Sequence, residues 1–305
     1  MKELTVASYD VELYVQVHGD AKHPTILFLH GYPDCHKTWN YQVNVLKKRF
    51  QVVTFDMRGV GNSTCSTKRT AYRMNNMLAD VEAVINAVVG KEGKVHIVGH
   101  DWGSVIGWSL ITEAYYARRV LSYTSISGPH LTLMLDWGRR NLLSLEPKRL
   151  ANALRQGLFS WYVYLFNIPV SPEAIFKSMG RTIWKTVLKN NGVAADDKYL
   201  EASQEEIEKI CLNPINLYRQ NPLNPPTMPS PKSITTPVQL IIPTGDSFIS
   251  EPLFEFYGEY VVNLTRQPIQ GKHWAHHSHK VEFNYLIKQF VNNTQNAAIK
   301  EGRAA

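Results

Sequence analysis

The sequence predicts an α/β fold: a mostly parallel, twisted sheet flanked by helices and carrying an inserted helical cap. Three observations predict it. Short apolar runs recur at residues 26–29, 52–55, 95–98 and 120–126, and helical patterns such as residues 77–89 separate the later ones. Unbroken runs of this length suit strands buried on both faces of a parallel sheet, and strand–helix alternation implies right-handed crossovers. The alternation stops after Gly128-Pro129 and strand character returns only at Val238-Gln239-Leu240-Ile241-Ile242.

The elements follow in order. Val11-Glu12-Leu13-Tyr14-Val15-Gln16-Val17 alternates, so it reads as a strand of an antiparallel opening hairpin turned near Tyr9-Asp10. Residues 132–227 are helical in pattern and rich in aromatics, among them Trp137, Trp161, Tyr162, Phe166 and Trp184. Prolines 222, 225, 226, 229 and 231 close that stretch. The expected division is a core of residues 1–131 and 228–305 and a helical cap of residues 132–227. A last helix is expected over residues 281–291, followed by a polar, frayed tail from Asn292 to Ala305.

Composition narrows the function classes. A chain of 305 residues, 44% apolar, has enough material for a full core with an inserted subdomain. Lys and Arg number 33 against 26 acids, a net charge of +7. The basic residues are scattered, with short clusters such as Lys47-Lys48-Arg49, which fits a solvated surface better than a nucleic-acid site. The N-terminus lacks a charged-then-apolar leader pattern, and no apolar stretch reaches the ~20 residues of a membrane span. Cys35, Cys65 and Cys211 are few and far apart, which suggests free thiols and a cytoplasmic setting. The expected oligomeric state is monomer or homodimer.

The sharpest motif is Gly99-His100-Asp101-Trp102-Gly103, between the strand run 95–98 and a helical run 104–114. Small residues two before and two after its centre permit a cramped strand-to-helix turn, which presents the central side chain at the carboxyl end of the sheet. That side chain is a carboxylate. A serine attacking saturated carbon would leave an ether that water does not cleave; a carboxylate leaves an ester that water does cleave. Asp101 therefore implies displacement at tetrahedral carbon. The alternative is that Asp101 only caps the helix. Ser104 is off the centre of the turn and is not expected to be the nucleophile.

Three further motifs sit at strand ends. His30-Gly31-Tyr32-Pro33 follows the run 26–29; an amide of this loop, at Tyr32, and the amide of Trp102 are expected to form an oxyanion hole, with Pro33 fixing a rigid turn. Gly245-Asp246 follows the run 238–242, and Gly271-Lys272-His273-Trp274 follows a short strand around residues 264–269. His273 is the expected base that activates water, with Asp246 orienting it; Asp246 as a local cap is the alternative. His276, His277 and His279 raise a metal cluster as another, but no carboxylate or cysteine stands beside them at ligand spacing, so neither metal nor cofactor is expected.

Taken together, these motifs resemble the epoxide hydrolase branch of the α/β-hydrolase superfamily, over nearly the whole chain. The order Asp101, Asp246, His273 is that superfamily's order of nucleophile, acid and histidine, and the loop Phe55-Asp56-Met57-Arg58-Gly59-Val60-Gly61-Asn62-Ser63 also matches. The resemblance implies two cap tyrosines that hold and protonate an epoxide oxygen. Tyr162, four residues before Phe166-Asn167-Ile168-Pro169, and Tyr218, in Asn216-Leu217-Tyr218-Arg219, match those positions; Tyr164 and Tyr199 are the rivals. This chain departs from the family pattern at Asn167, where Gln is usual, at Val170, where Gly is usual, and at Tyr32, where Phe is common. The chain also resembles bacterial hydrolase domains fused to a short-chain dehydrogenase, but it has no dinucleotide-binding glycine fingerprint.

The implied activity is hydrolysis of an apolar epoxide to a vicinal diol through an ester on Asp101, a hydrolase acting on an ether bond. The nearest rival is a haloalkane dehalogenase, which often carries an asparagine where Tyr32 stands. A second is a small-molecule binding protein on a catalytically dead scaffold.

Overall fold

Strand side chains alternate between the two faces of a sheet, and here both faces are buried. Ile26 and Phe28 enter one apolar cluster; Leu27 and Leu29 enter the other. The computed structural model describes residues 1–300. It contains one sheet of eight strands: β1 (Lys2–Ser8), β2 (Val11–His18), β3 (Thr25–Leu29), β4 (Gln51–Phe55), β5 (Val95–His100), β6 (Val120–Ile126), β7 (Val238–Pro243) and β8 (Leu264–Ile269). Their order across the sheet is β1-β2-β4-β3-β5-β6-β7-β8. β1 and β2 form the antiparallel opening hairpin, β2 also meets β4 antiparallel, and every later pairing is parallel.

Helices cover both faces. Asn40–Leu46 and Lys280–Lys300 supply Val43, Leu46, Phe283 and Ile287 to one cluster; Met74–Val89 and Trp102–Thr112 supply Met77, Val81, Val105 and Ile106 to the other. Strand order doubles back between β4, β3 and β5, so the carboxyl ends of β3 and β5 lie side by side. That edge is where open α/β sheets place their ligands.

Two sequence expectations need correcting. The helix after the Asp101 turn is Trp102–Thr112, two residues earlier than expected, because the turn is completed within Asp101 itself. The tail does not fray at Asn292: the last helix continues to Lys300. Thr294 bonds back to Phe290 O within the helix, and Gln295 lies 3.4 Å from His96 on β5. Residues 301–305 of the expected tail lie outside the described residues.

Between β6 and β7 the chain makes six α-helices, one short 3-10 helix (Lys198–Glu201) and no strand; the α-helices are Leu131–Leu142, Pro147–Phe159, Trp161–Asn167, Ser171–Asn190, Gln204–Cys211 and Ile215–Gln220. Arg219 ties three of them together. Its Nε donates to Phe166 O at 2.8 Å and its Nη atoms grip Glu173 at 2.7 and 3.2 Å. Trp184 anchors this layer to the sheet domain by donating from Nε1 to Pro33 O at 2.8 Å.

Candidate active site

Asp101 sits at the bend between β5 and the helix Trp102–Thr112 with φ 51° and ψ −120°. A non-glycine residue in that region stores roughly 1–3 kcal/mol of backbone strain, which only a well-determined surround maintains. The surround is tight. A Cβ on Gly31 would lie 2.4 Å from Asp101 Cβ, and one on Gly103 would lie 2.1 Å from Leu29 O. Glycine at both positions therefore lets the end of β3 and the turn after β5 touch. Asp101 makes no side-chain cap bond to its helix. Its Oδ1 instead accepts the Tyr32 amide at 2.7 Å, so capping does not account for this carboxylate.

His273 lies between two carboxylates. Its Nε2 is 3.6 Å from Asp101 Oδ2, and its Nδ1 is 3.0 Å from Asp246 Oδ2. Asp246 also accepts the amides of Phe248 and Ile249, at 2.8 and 3.1 Å, so the loop after β7 orients the acid while the acid orients the imidazole. Burial opposes the charge on His273. The negative field of Asp246, with the bond and field of Asp101, overcomes it and lifts the pKa to about 10. The field of His273 and its bond, with the two amides, likewise hold Asp246 below the ordinary carboxylate range against its burial.

Above this group lies an apolar cavity of about 240 Å³ whose walls include Tyr32, Asp101, Tyr162, Phe176, Tyr218 and His273. The Tyr162 and Tyr218 rings meet edge to face at 5.7 Å. Burial first, then the charge of Asp101, push both phenols well above their ordinary pKa, which keeps them neutral donors. The rivals are elsewhere. Tyr164 is exposed on the outside of its helix, and the Tyr199 hydroxyl donates to Asp34 at 2.7 Å. Ser104 is fully buried with its hydroxyl among Tyr123, Ser125 and Gly128. Trp102 does not wall the cavity; its indole backs Tyr218 edge-on at 5.0 Å. A separate polar cleft of about 340 Å³ runs past Lys37, Lys198 and Glu206, and none of Asp101, His273, Asp246, Tyr162 and Tyr218 borders it.

The neighbouring histidines diverge. His277 bonds Thr38 and Asp197, and His276 bonds Thr38. The expectation that no carboxylate accompanies these histidines holds along the chain but not in space: Asp34, His100 and His276 bring ligand-type atoms within 4.8 Å of one another, all buried. Asp34 is already engaged by the Tyr199 hydroxyl and, at 3.0 Å, by the Trp274 indole N–H, while His100 Nε2 donates to His273 O at 3.0 Å. The cluster thus holds the His273 backbone from behind. Sequence reading missed Asp34 and also Phe248, whose ring lies 4.8 Å from the His273 imidazole. Asp34 adjoins the HGYP motif directly, which was the available signal; Phe248 had none.

An alpha/beta hydrolase fold model matches residues 24–280. The chain belongs to the alpha/beta hydrolase fold family. This α/β-hydrolase is 28% identical over 297 residues to "Probable oxidoreductase EphD" of Mycobacterium tuberculosis (strain ATCC 25618 / H37Rv), an alignment covering 96% of the chain and 50% of that protein. The chain thus spans half the length of the mycobacterial relatives it matches. It is 26% identical to human "Epoxide hydrolase 4", with 90% of the chain and 74% of that protein covered. Among solved structures, the epoxide hydrolase of Bacillus megaterium in complex with an inhibitor superposes with a TM-score of 0.77 at 23% identity, covering 95% of this chain and all (100%) of that one. No helix among the described residues is long and apolar enough to cross a membrane.

Proposed function

We propose that this α/β-hydrolase opens epoxides to vicinal diols through a covalent ester on Asp101. The observation that carries the reading is a carboxylate, not a serine, at the strained bend, sharing one apolar cavity with His273 and two neutral phenols. Similarity to proteins named epoxide hydrolases supports it. In the first step Asp101 Oδ2 attacks an epoxide carbon, the carbon–oxygen bond breaks, and Tyr162 or Tyr218 supplies a proton to the departing oxygen. Asp101 Oδ1, already bonded to the Tyr32 amide, becomes the ester carbonyl oxygen.

Ester formation removes the charge of Asp101 and with it part of what keeps His273 protonated. The imidazole then passes its proton to the phenolate left by the donor tyrosine, which lines the same cavity, and draws another from water, which attacks the ester carbonyl carbon. The developing oxyanion on Oδ1 is held by the Tyr32 amide, with the Trp102 amide as the second donor. His273 returns the proton to the departing diol, the oxygen of water stays in Asp101, and the carboxylic acid so formed gives its proton to His273, which restores the starting pair. Asp246 keeps the imidazole oriented throughout. This reading uses residues 132–227 as a cap over the core of residues 1–131 and 228–305. Three free cysteines support a cytoplasmic setting.

The test incubates His273→Gln with a panel of apolar epoxides and weighs the peptide carrying Asp101. A gain of one substrate mass is expected. No gain with any epoxide, or bromide release from a bromoalkane without diol from epoxides, would replace this reading with a dehalogenase or a binding protein.

A further inference from the structure

The helix layer over the site has an unusual outer surface. Of the 21 large hydrophobic residues exposed among the described residues, twelve lie between Leu135 and Met179. Soluble monomers rarely gather apolar side chains outside in this way without a partner. The helix Pro147–Phe159 shows the pattern most clearly. Leu150, Leu154 and Leu158 are spaced by four and share one side, and they are 40%, 56% and 73% exposed. Gln156 marks the opposite side: its Nε2 donates to Phe248 O at 2.8 Å and its Oε1 accepts from Ser250. Leu145, ahead of the helix, and Trp161, just after it, extend the exposed stripe.

The segment that carries the stripe is one-sided in charge, although Arg139, Arg140 and Arg149 are paired with Asp136, Glu259, Glu146 and Glu255. Residues 131–190 hold nine Lys or Arg against three Asp or Glu, a surplus of six out of the chain's total of seven. Lys148 and Arg155, seven residues apart, run along the helix beside the leucines. A second copy of this layer would bring like charges together. An apolar stripe rimmed by cations matches the anatomy of a helix lying in the headgroup region of an anionic bilayer.

We infer that the outer face of Pro147–Phe159, with Trp161, docks this protein on an anionic lipid surface. Docking stands whatever reaction the site performs. Trp161 is both 62% exposed and part of the cavity wall, so the docked face adjoins the site. A path for apolar epoxides from bilayer to cavity follows from that position, and this part rests on the proposed reaction.

Sedimentation with phosphatidylcholine vesicles, with and without phosphatidylglycerol, tests it. The protein should sediment with the phosphatidylglycerol vesicles, and less so at high salt. The triple variant Leu150→Ser, Leu154→Ser, Leu158→Ser and the double variant Lys148→Glu, Arg155→Glu should each weaken binding by ~10-fold or more. None of these residues lines the cavity, so hydrolysis of a water-soluble epoxide reports separately on folding and on the proposed reaction. The inference is overturned if the protein stays in the supernatant with both vesicles, or if folded variants bind equally well. It is also overturned if light scattering shows a dimer that the leucine variant dissolves while vesicles bind nothing; the face would then be a contact between copies.

Discussion

His273 bridges two buried carboxylates, Nε2 at 3.6 Å from Asp101 Oδ2 and Nδ1 at 3.0 Å from Asp246 Oδ2. In the free protein this arrangement stores a cation between two anions, and a protonated imidazole cannot act as a base. With a pKa of about 10 in the fold against an ordinary 6.5, His273 in the proposed reaction becomes a base only after the charge on Asp101 has been removed. The order of the two proposed steps would follow from this electrostatic coupling.

The first prediction is read by NMR. His273 should stay protonated to about pH 10 in the wild-type protein and titrate at clearly lower pH in Asp101→Asn, where the side chain is neutral. The raised pKa also fixes the sign for stability. The contribution of this site is complete below the unfolded value of ~6.5 and lost as pH rises through the folded one. Equal titration of the two proteins would contradict the coupling.

The phenols carry a kinetic prediction. Tyr162→Phe and Tyr218→Phe should each slow ester formation by ~10²-fold in single-turnover experiments, the usual scale for a positioned proton donor. The double variant should fall further, by less than the product of the two effects, because the rings share one oxygen. Hydrolysis of an ester already formed should change little in either single variant.

Val170 has a prediction about stability. It occupies φ 66° and ψ −31° at the entrance to the helix Ser171–Asn190. A β-branched side chain is strained there and glycine is not. Val170→Gly should stabilise by ~1 kcal/mol, raising Tm by ~2–3 °C in calorimetry. The residue is 71% exposed, so little packing is lost. No change in Tm would mean the backbone relaxes without cost.

The Arg219–Glu173 pair ties the segment of Tyr218 to the neighbouring helices. The Arg219 bond, with a backbone amide hydrogen bond and the Arg219 charge behind it, holds Glu173 below the ordinary carboxylate range despite partial burial. Its stabilisation is therefore present above the unfolded pKa near 4.5 and lost as pH falls below it. Glu173→Gln should cost ~1 kcal/mol at neutral pH, modest because the glutamate is partly solvated. Chemical denaturation at pH 7 and at pH 4 checks this, since the difference between variant and wild type should shrink at the lower pH.

Local sequence determined most of the frame. Strands buried on both faces must be uniformly apolar, so β3 to β7 stood out as runs, and the turn around Asp101 stood out because cramped bends demand small neighbours. A carboxylate at that bend also points to the class of chemistry proposed here, since the stability of the bond it would form depends on the atom type alone. Tertiary structure decided which of several similar groups face the site. His273, His276, His277 and His279 are equivalent as letters, yet only His273 reaches Asp246, because the position is set by where β7 and β8 end. Tyr162, Tyr164 and Tyr199 were likewise separated by helix rotation and packing. Asp34 joined His100 and His276 only because β3 and β5 are neighbours in the sheet although some 70 residues apart in the chain. Hydrophobic pattern is a short-range property, whereas contact between distant segments depends on the whole set of crossovers.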